Sequence, residues 1–437
     1  MSRTAEHVQA GRSVTTSAAP LSATRGTALY VGALLGPGLL LLPGLAARAA
    51  GPASLVAWLV LLGMSALIAA VFAALGRAHP SAGGVAGYAT EALGVRAGAA
   101  VGWCFLAGVV GGAPVVCLIG ATYVTDLTGG GTLVRCLVAA AILLVVLALT
   151  LCGARASTAA QLALVGLLVL MVVVAVAGSA PSARLANWTP FAPHGWPATG
   201  RAAALLMMSF VGWEAVAPLT GRLASPARQL PRIIGVAFAV TAVIYLALAT
   251  VTIGVLGPGA GTDVPVADLL VRGIGRPGLG VAAVAAVVLT LGTTNAYLTG
   301  ASTMFAELTK GPGEPSRQRG SWRFLAAAAV SGLIELALYS RGVVTTAQLI
   351  TVPTTLFLAV YLGCMLAAIR LLAGRLRVAA ALALGLVVIV LVFSGWALVI
   401  AGLVAGVATL TGRGRPRACA GPQSSGLCCP PAVRMDR

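Results

Sequence analysis

The chain has 437 residues, 59% of them hydrophobic and only 9% charged, with a mean hydropathy of +1.00. A soluble domain carries about 25% charged residues to solvate its surface, so that class is excluded. The formal net charge of +18 raises nucleic-acid binding, but the arginines lie between the apolar runs instead of gathering on one face, which removes it. The runs themselves, such as 133–150 and 162–178, lack the ~10-residue alternation of barrel strands. They approach the roughly 20 residues that a helix needs to cross a bilayer. Backbone groups in lipid must pair internally, so the fold class read here is an all-α polytopic membrane protein.

In chain order, residues 1–25 are polar and read as a disordered cytosolic lead-in. Residues 26–411 read as one transmembrane domain, and 412–437 as a disordered cytosolic tail. The apolar runs predict about twelve spans, near 26–48, 54–76, 97–125, 133–153, 158–178, 200–221, 232–257, 277–304, 323–340, 346–372, 377–393 and 395–411. The last two turn on Ser394-Gly395, and one long helix there would leave eleven. With both termini inside, 21 of the 28 Lys and Arg residues fall on the cytoplasmic side, the bias that sets membrane orientation. A multi-pass protein of a bacterial cytoplasmic membrane is expected.

Cys104, Cys117, Cys152 and Cys364 lie inside apolar runs and Cys136 near the start of another, so they read as small buried hydrophobes. Cys419, Cys428 and Cys429 sit in the tail, and the three histidines are scattered. No metal site or cofactor is expected.

Two interruptions locate a site. The first span carries Gly36-Pro37-Gly38, where an amide donor is lost and two residues lack Cβ. Alone, a packing kink explains it. The sixth span carries Phe210-Val211-Gly212-Trp213-Glu214 at a corresponding depth, with Pro218 following. Interrupted segments at matching positions of two halves point to a transporter site, here with a five-plus-five inverted repeat and two further helices. A helix beginning at mid-membrane offers free N–H groups and a positive dipole end to a carboxylate. One that ends there offers carbonyls to an ammonium.

Glu214 is a carboxyl in the membrane interior, which marks a functional candidate. It can pair with a substrate ammonium, take up and release a proton, or simply bond a freed backbone group. Glu335, nearer an outer helix end, reads as structural, within reach of the interface or of Arg341. Thr293-Thr294-Asn295 in span eight can line a pathway or bond across helices. Gly108-x-x-x-Gly112 and Gly402-x-x-x-Gly406 fit close helix packing.

These residues resemble the amino acid–polyamine–organocation superfamily of permeases over nearly the whole chain. The likeness rests on Gly36-Pro37-Gly38 with Leu42-Pro43, and on Leu75-Gly76-Arg77 running into Pro80-Ser81-Ala82-Gly83-Gly84-Val85-Ala86. It rests also on Phe210-Val211-Gly212-Trp213-Glu214-Ala215, Ser225-Pro226-Ala227-Arg228-Gln229-Leu230-Pro231-Arg232, Asn295 and the run from Tyr361 to Leu366. Within the superfamily it is most similar to bacterial methionine and branched-chain amino acid exporters. The resemblance implies a discontinuous first and sixth helix, with Gly36, Pro37, Gly38, Phe210, Val211, Gly212, Trp213 and Asn295 binding an amino acid. It also implies proton-driven efflux with Glu214 as the coupling candidate. Two departures bear on this: Pro37 replaces a Ser or Thr frequent in relatives, and the fifth span has Gln161 but no Lys. Proton and, as the alternative, sodium thus both stand as coupling ions. Competing readings are an importer of the same superfamily and a non-transporting sensor or scaffold. An enzyme lacks a nucleophile–base set, and a channel lacks a repeated polar filter. The partners expected are an amino acid and the lipid bilayer, with no nucleic acid; the oligomeric state is open.

Overall fold

The computed structural model describes residues 23–79, 84–153, 158–215, 226–309 and 321–411. The expected polar lead-in up to residue 22, the tail with Cys419, Cys428 and Cys429, the stretch 80–83, and Pro218 and Ser225 lie outside them.

The first span is two helices, α1 (Ala23–Leu34) and α2 (Gly38–Ala50). Pro37 has no N–H to carry the ladder across, so the chain leaves helix at 35–37 and restarts at Gly38. A 3-10 turn at Gly51–Ala53 then leads into α3 (Ser54–Ala78). After the short α4 (Gly84–Leu93) come α5 (Val95–Thr128), α6 (Thr132–Leu151) and α7 (Thr158–Ser179). The sixth span opens as α8 (Trp196–Leu206), tightens to a 3-10 turn at Met207–Phe210 and breaks.

Beyond it lie α9 (Pro226–Leu256), the short α10 (Pro265–Ile274), α11 (Pro277–Thr309) and α12 (Ser321–Ser340). Thr345 caps α13 (Thr346–Leu371) through a reciprocal bond with Gln348, and α14 (Gly374–Val392) follows. The question at Ser394-Gly395 resolves into two helices. Gly395 takes φ 57°, a left-handed conformation that ends α14's course before α15 (Ala397–Thr411) begins. With 15 residues, α15 is about 22 Å long and shorter than the hydrocarbon core.

Among the described residues nine segments are long and apolar enough to cross a membrane, one of them the continuous stretch Gly38–Ala78. This is fewer than twelve because the two broken spans are cut into short pieces and α15 is short. No strand occurs among the described residues. Leu133, Leu137 and Leu144 on α6, and Val378, Leu382 and Ile389 on α14, are exposed on one stripe of each helix. In a bilayer such stripes face lipid.

Packing follows a five-span offset. Helix α2 lies on α8, α3 on α9, α5 on α11 and α6 on α12. The first span also packs on the fifth through α1 and α7, as the sixth does on the tenth through α8 and α13. The two breaks are thereby brought face to face in the middle of the molecule.

Candidate functional site

At the second break Val211 is extended (ψ 135°) and Gly212 has φ 143°, a region that a side chain would resist. A further 3-10 turn, Trp213–Ala215, follows. Helix therefore cannot continue through residues 211–212, and their backbone groups need partners from elsewhere. In lipid no water supplies them.

Tyrosines do. The Tyr245 hydroxyl on α9 lies 2.7 Å from the Leu34 carbonyl at the end of α1, and also bonds the Ser209 carbonyl at the end of the second break's 3-10 turn. One hydroxyl hydrogen thus ties the two breaks together. The Tyr361 hydroxyl on α13 stands 2.8 Å from Glu214 Oε2 and 3.2 Å from the Phe210 carbonyl, and accepts from the Gly212 amide at 3.3 Å. Tyr123, at the far end of α5, donates to the Leu40 carbonyl of α2 at 2.6 Å.

Between the breaks is a cavity of about 70 Å³. Leu34, Val109, Val116, Met208, Val211 and Phe357 give it apolar walls. Gly36, Pro37 and Gly38 form one side, with Thr293, Thr294 and Tyr297 of α11 opposite. Its polar groups are few. The buried Ser209 and Thr294 hydroxyl oxygens have no hydrogen-bond partner among the described residues. The Gly38 amide, first in α2, likewise lacks an acceptor there, and an ideal Cβ on Gly38 would stand 3.7 Å from Ser209 Oγ. Buried polar atoms of this kind call for a partner.

Of the residues expected from the sequence, Gly36, Pro37, Gly38 and Val211 line the cavity. Phe210 packs behind it, in an aromatic group with Trp58 and Tyr245 (ring centroids 5.8 and 5.2 Å). Trp213 is fully buried and donates to Ser65 of α3 at 2.7 Å, anchoring the break instead of lining the cavity. Gly212 acts through its amide, which donates to Glu214 Oε2 at 2.9 Å. Asn295 is away from the cavity and accepts from Thr150 of α6 at 2.9 Å. Gly108 and Gly112, expected to serve helix packing, lie against α13, where a Cβ would stand 3.2 Å from Phe357 and 3.6 Å from Pro353, and they also line the cavity. Gly402 and Gly406 meet nothing within 4 Å among the described residues where a Cβ would stand. Cys152, expected buried, is exposed at the end of α6.

Glu214 is buried, and among the described residues no cation lies within ion-pair distance of it. Its Oε2 is held by Gly212 and Tyr361, while Oε1 has no partner among those residues. Glu335 makes no ion pair with Arg341; it is partly buried, near Gly111 of α5.

Beyond the cavity, α2 ends in a polar latch. Arg48 pairs with Asp263 at 2.9 Å and bonds the Gly261 carbonyl, and Arg135 of α6 lies 3.8 Å from Asp263. The same loop leads into α10, where burial pushes the Asp268 carboxyl above its ordinary range, with Asp126 adding to the effect and Thr262 and Arg272 opposing it.

The amino acid permease family matches residues 21–409. The chain is similar to the uncharacterized amino acid permease YecA of Bacillus subtilis, at 34% identity over 386 residues, 86% of this chain and 91% of that protein. It is similar also to the L-methionine/branched-chain amino acid exporter YjeH of Escherichia coli, at 30% over 386 residues, 86% and 92% of the two chains. The branched-chain amino acid permease BcaP of Bacillus subtilis is 27% identical over 269 residues, 56% of this chain and 57% of that one.

Proposed function

The chain belongs to the amino acid permease family, and on that premise we propose that it exports neutral, apolar amino acids of the methionine and branched-chain type in exchange for protons. Members of the family are transporters, and the chain is not an enzyme. The observation that carries the substrate class is the cavity itself: apolar walls, with its few polar groups at the two helix breaks. A substrate carboxylate fits the Gly38 amide and Ser209 hydroxyl, at the positive end of α2. The ammonium fits the carbonyls of Leu34 and Ser209, which share one Tyr245 hydrogen and so retain an acceptor. The side chain then lies among Val109, Met208 and Phe357. No charged side chain lines the cavity, which disfavours cationic and anionic amino acids.

The proton assignment rests on Glu214, Tyr361 and the Phe210 carbonyl. Ionised, Glu214 accepts from Tyr361. Protonated, its Oε2 donates to Tyr361, whose own hydrogen turns to the Phe210 carbonyl at 3.2 Å. Proton uptake thus reorders the hydrogen bonds of the break that forms the cavity. Sodium is the alternative ion, and an importer is the alternative direction. The five-span offset of the packing is what an inverted repeat with alternating access needs. The positive bias of the loops favours a bacterial cytoplasmic membrane with both termini inside.

The test is flux from proteoliposomes loaded with labelled methionine, leucine, lysine or glutamate under an imposed pH or sodium gradient. Methionine and leucine efflux driven by the pH gradient is expected, with lysine and glutamate retained. Flux driven by sodium alone removes the proton, and no flux of any amino acid removes the proposal. Glu214→Gln is expected to abolish the acceleration by pH while leaving exchange of methionine for methionine. An unchanged pH profile takes Glu214 out of the coupling.

A further inference from the structure

A second and larger hollow, about 670 Å³, lies between α5, α11, α12 and α15, away from the cavity. It opens outward: Leu403 and Val407 on its α15 wall are 61% and 58% exposed. Short α15 packs on α5 and α13 and leaves the groove between itself and α12. The lining is aliphatic along Leu106 and Val110 of α5, about 10 Å of helix beyond Trp103. Toward the other end it becomes aromatic, with Trp103 stacked edge-on to Phe305 at 5.9 Å and Phe305 against Phe324 at 5.5 Å. Tryptophan is a residue that gathers where hydrocarbon meets headgroups, and Trp103 marks that end of the groove.

At that aromatic end sits Arg323, the single charged residue of the lining. It is exposed, and among the described residues no carboxylate lies within ion-pair distance of it. The groove therefore presents a cation at headgroup level above a long apolar channel.

We propose that this groove binds an anionic phospholipid, one acyl chain lying between α5 and α15 and the phosphate paired with Arg323. A chain without a headgroup leaves Arg323 with no anion, its guanidinium set only over the Trp322 ring at 5.6 Å, and a soluble anion leaves the apolar channel empty; a phospholipid meets both. Basic residues at the membrane surface select anionic headgroups over zwitterionic ones. The site has a route to the cavity. Helix α5 turns residues 103, 106, 107 and 110 to the groove, while Gly108, Val109 and Gly112 on its other side line the cavity. Occupancy of the groove thereby bears on the helix that shapes the cavity wall, and coupling between two sites is reciprocal.

The full-length protein, purified with equal amounts of phosphatidylglycerol and phosphatidylcholine, is examined by native mass spectrometry for retained lipid. Two variants accompany it: Arg323→Gln, and Val407→Trp, which fills the groove from its exposed wall. Elution as a single species and unchanged methionine binding in lipid-free detergent establish that each is folded. The parent is expected to retain phosphatidylglycerol several-fold over phosphatidylcholine. Arg323→Gln is expected to lose that preference while still holding a lipid, and Val407→Trp to hold severalfold less of either. Equal retention and equal preference in all three proteins overturns the proposal. So does a cross-link from Val407→Cys to a second copy of the chain in native membranes, which would put protein, not lipid, on the groove.

Discussion

Tyr245→Phe is the most direct test of how the two breaks are held. Phenylalanine keeps the ring that packs against Trp58 at 5.0 Å and Phe210 at 5.2 Å, so only the hydroxyl is lost. That hydroxyl serves the carbonyls of Leu34 and Ser209. The Leu34 carbonyl keeps the Gly36 amide at 3.1 Å, whereas no second protein donor to the Ser209 carbonyl is present among the described residues. A buried acceptor left without its donor costs about 1–3 kcal/mol; with one carbonyl fully and one partly deprived, about 1–2 kcal/mol is expected. Falling on the arrangement that aligns the breaks, this weakens substrate binding by a factor of about 5–30. The assay is equilibrium binding of labelled methionine to the purified variant, alongside its thermal unfolding. A dissociation constant and an unfolding temperature both equal to the parent's would refute the reasoning, because the hydroxyl would then be holding nothing.

Gly44→Ala places a Cβ 2.0 Å from the Thr262 carbonyl oxygen, a backbone atom that can move only if the loop undocks from α2. A loss of about 1–3 kcal/mol in unfolding is expected, with faster labelling of a cysteine placed at Arg48 in that background. Arg48→Ala alone removes an exposed ion pair and is expected to change unfolding by less than about 1 kcal/mol. Gly108→Ala puts a methyl 3.2 Å from the Phe357 ring at the cavity wall, so competition binding should show leucine weakened several-fold more than alanine. Asp268 has its carboxyl raised by burial; the folded protein then holds that proton more tightly than the unfolded chain. Its contribution is greatest at pH below the unfolded value and declines as pH rises through the folded one. Asp268→Asn should therefore unfold at higher temperature than the parent at neutral pH, the gap closing on acidification; parallel pH profiles would contradict this.

The membrane class and both breaks were legible because each is a local property. Apolar runs report spans, and Gly36-Pro37-Gly38 and Gly212 report backbone that helix cannot carry. What was not legible was helical phase and long-range pairing. Asn295 reads as a site residue by polarity, yet Thr293 and Tyr297, four apart, share the cavity face, and Asn295, two positions on from Thr293, is turned some 200° away toward Thr150. Thr293 and Thr294, named from the sequence as able to line a pathway, do reach the cavity, and a phase count along α11 adds Tyr297. Gly108 and Gly112 carry the same ambiguity, since a small residue permits either a helix or a ligand to approach. Tyr245 has no motif at all; its role depends on α9 meeting both breaks.

A broken helix in lipid is a shortage of hydrogen-bond donors at one end and of acceptors at the other. Here the missing donors come from two tyrosines on separate helices, Tyr245 of α9 and Tyr361 of α13. Tyrosine suits the task, because its ring packs as a hydrophobe and its single hydrogen reaches one acceptor. Both stand between alternative acceptors, Tyr245 between the carbonyls of Leu34 and Ser209, and Tyr361 between Glu214 and the Phe210 carbonyl. Switching between such acceptors trades one hydrogen bond for another, so either arrangement stays nearly satisfied. A substrate ammonium at the first pair, or a proton on Glu214 at the second, need supply only the difference between two bonded states. The breaks are thereby stable enough to exist in a bilayer and still responsive to the small ligands proposed for them.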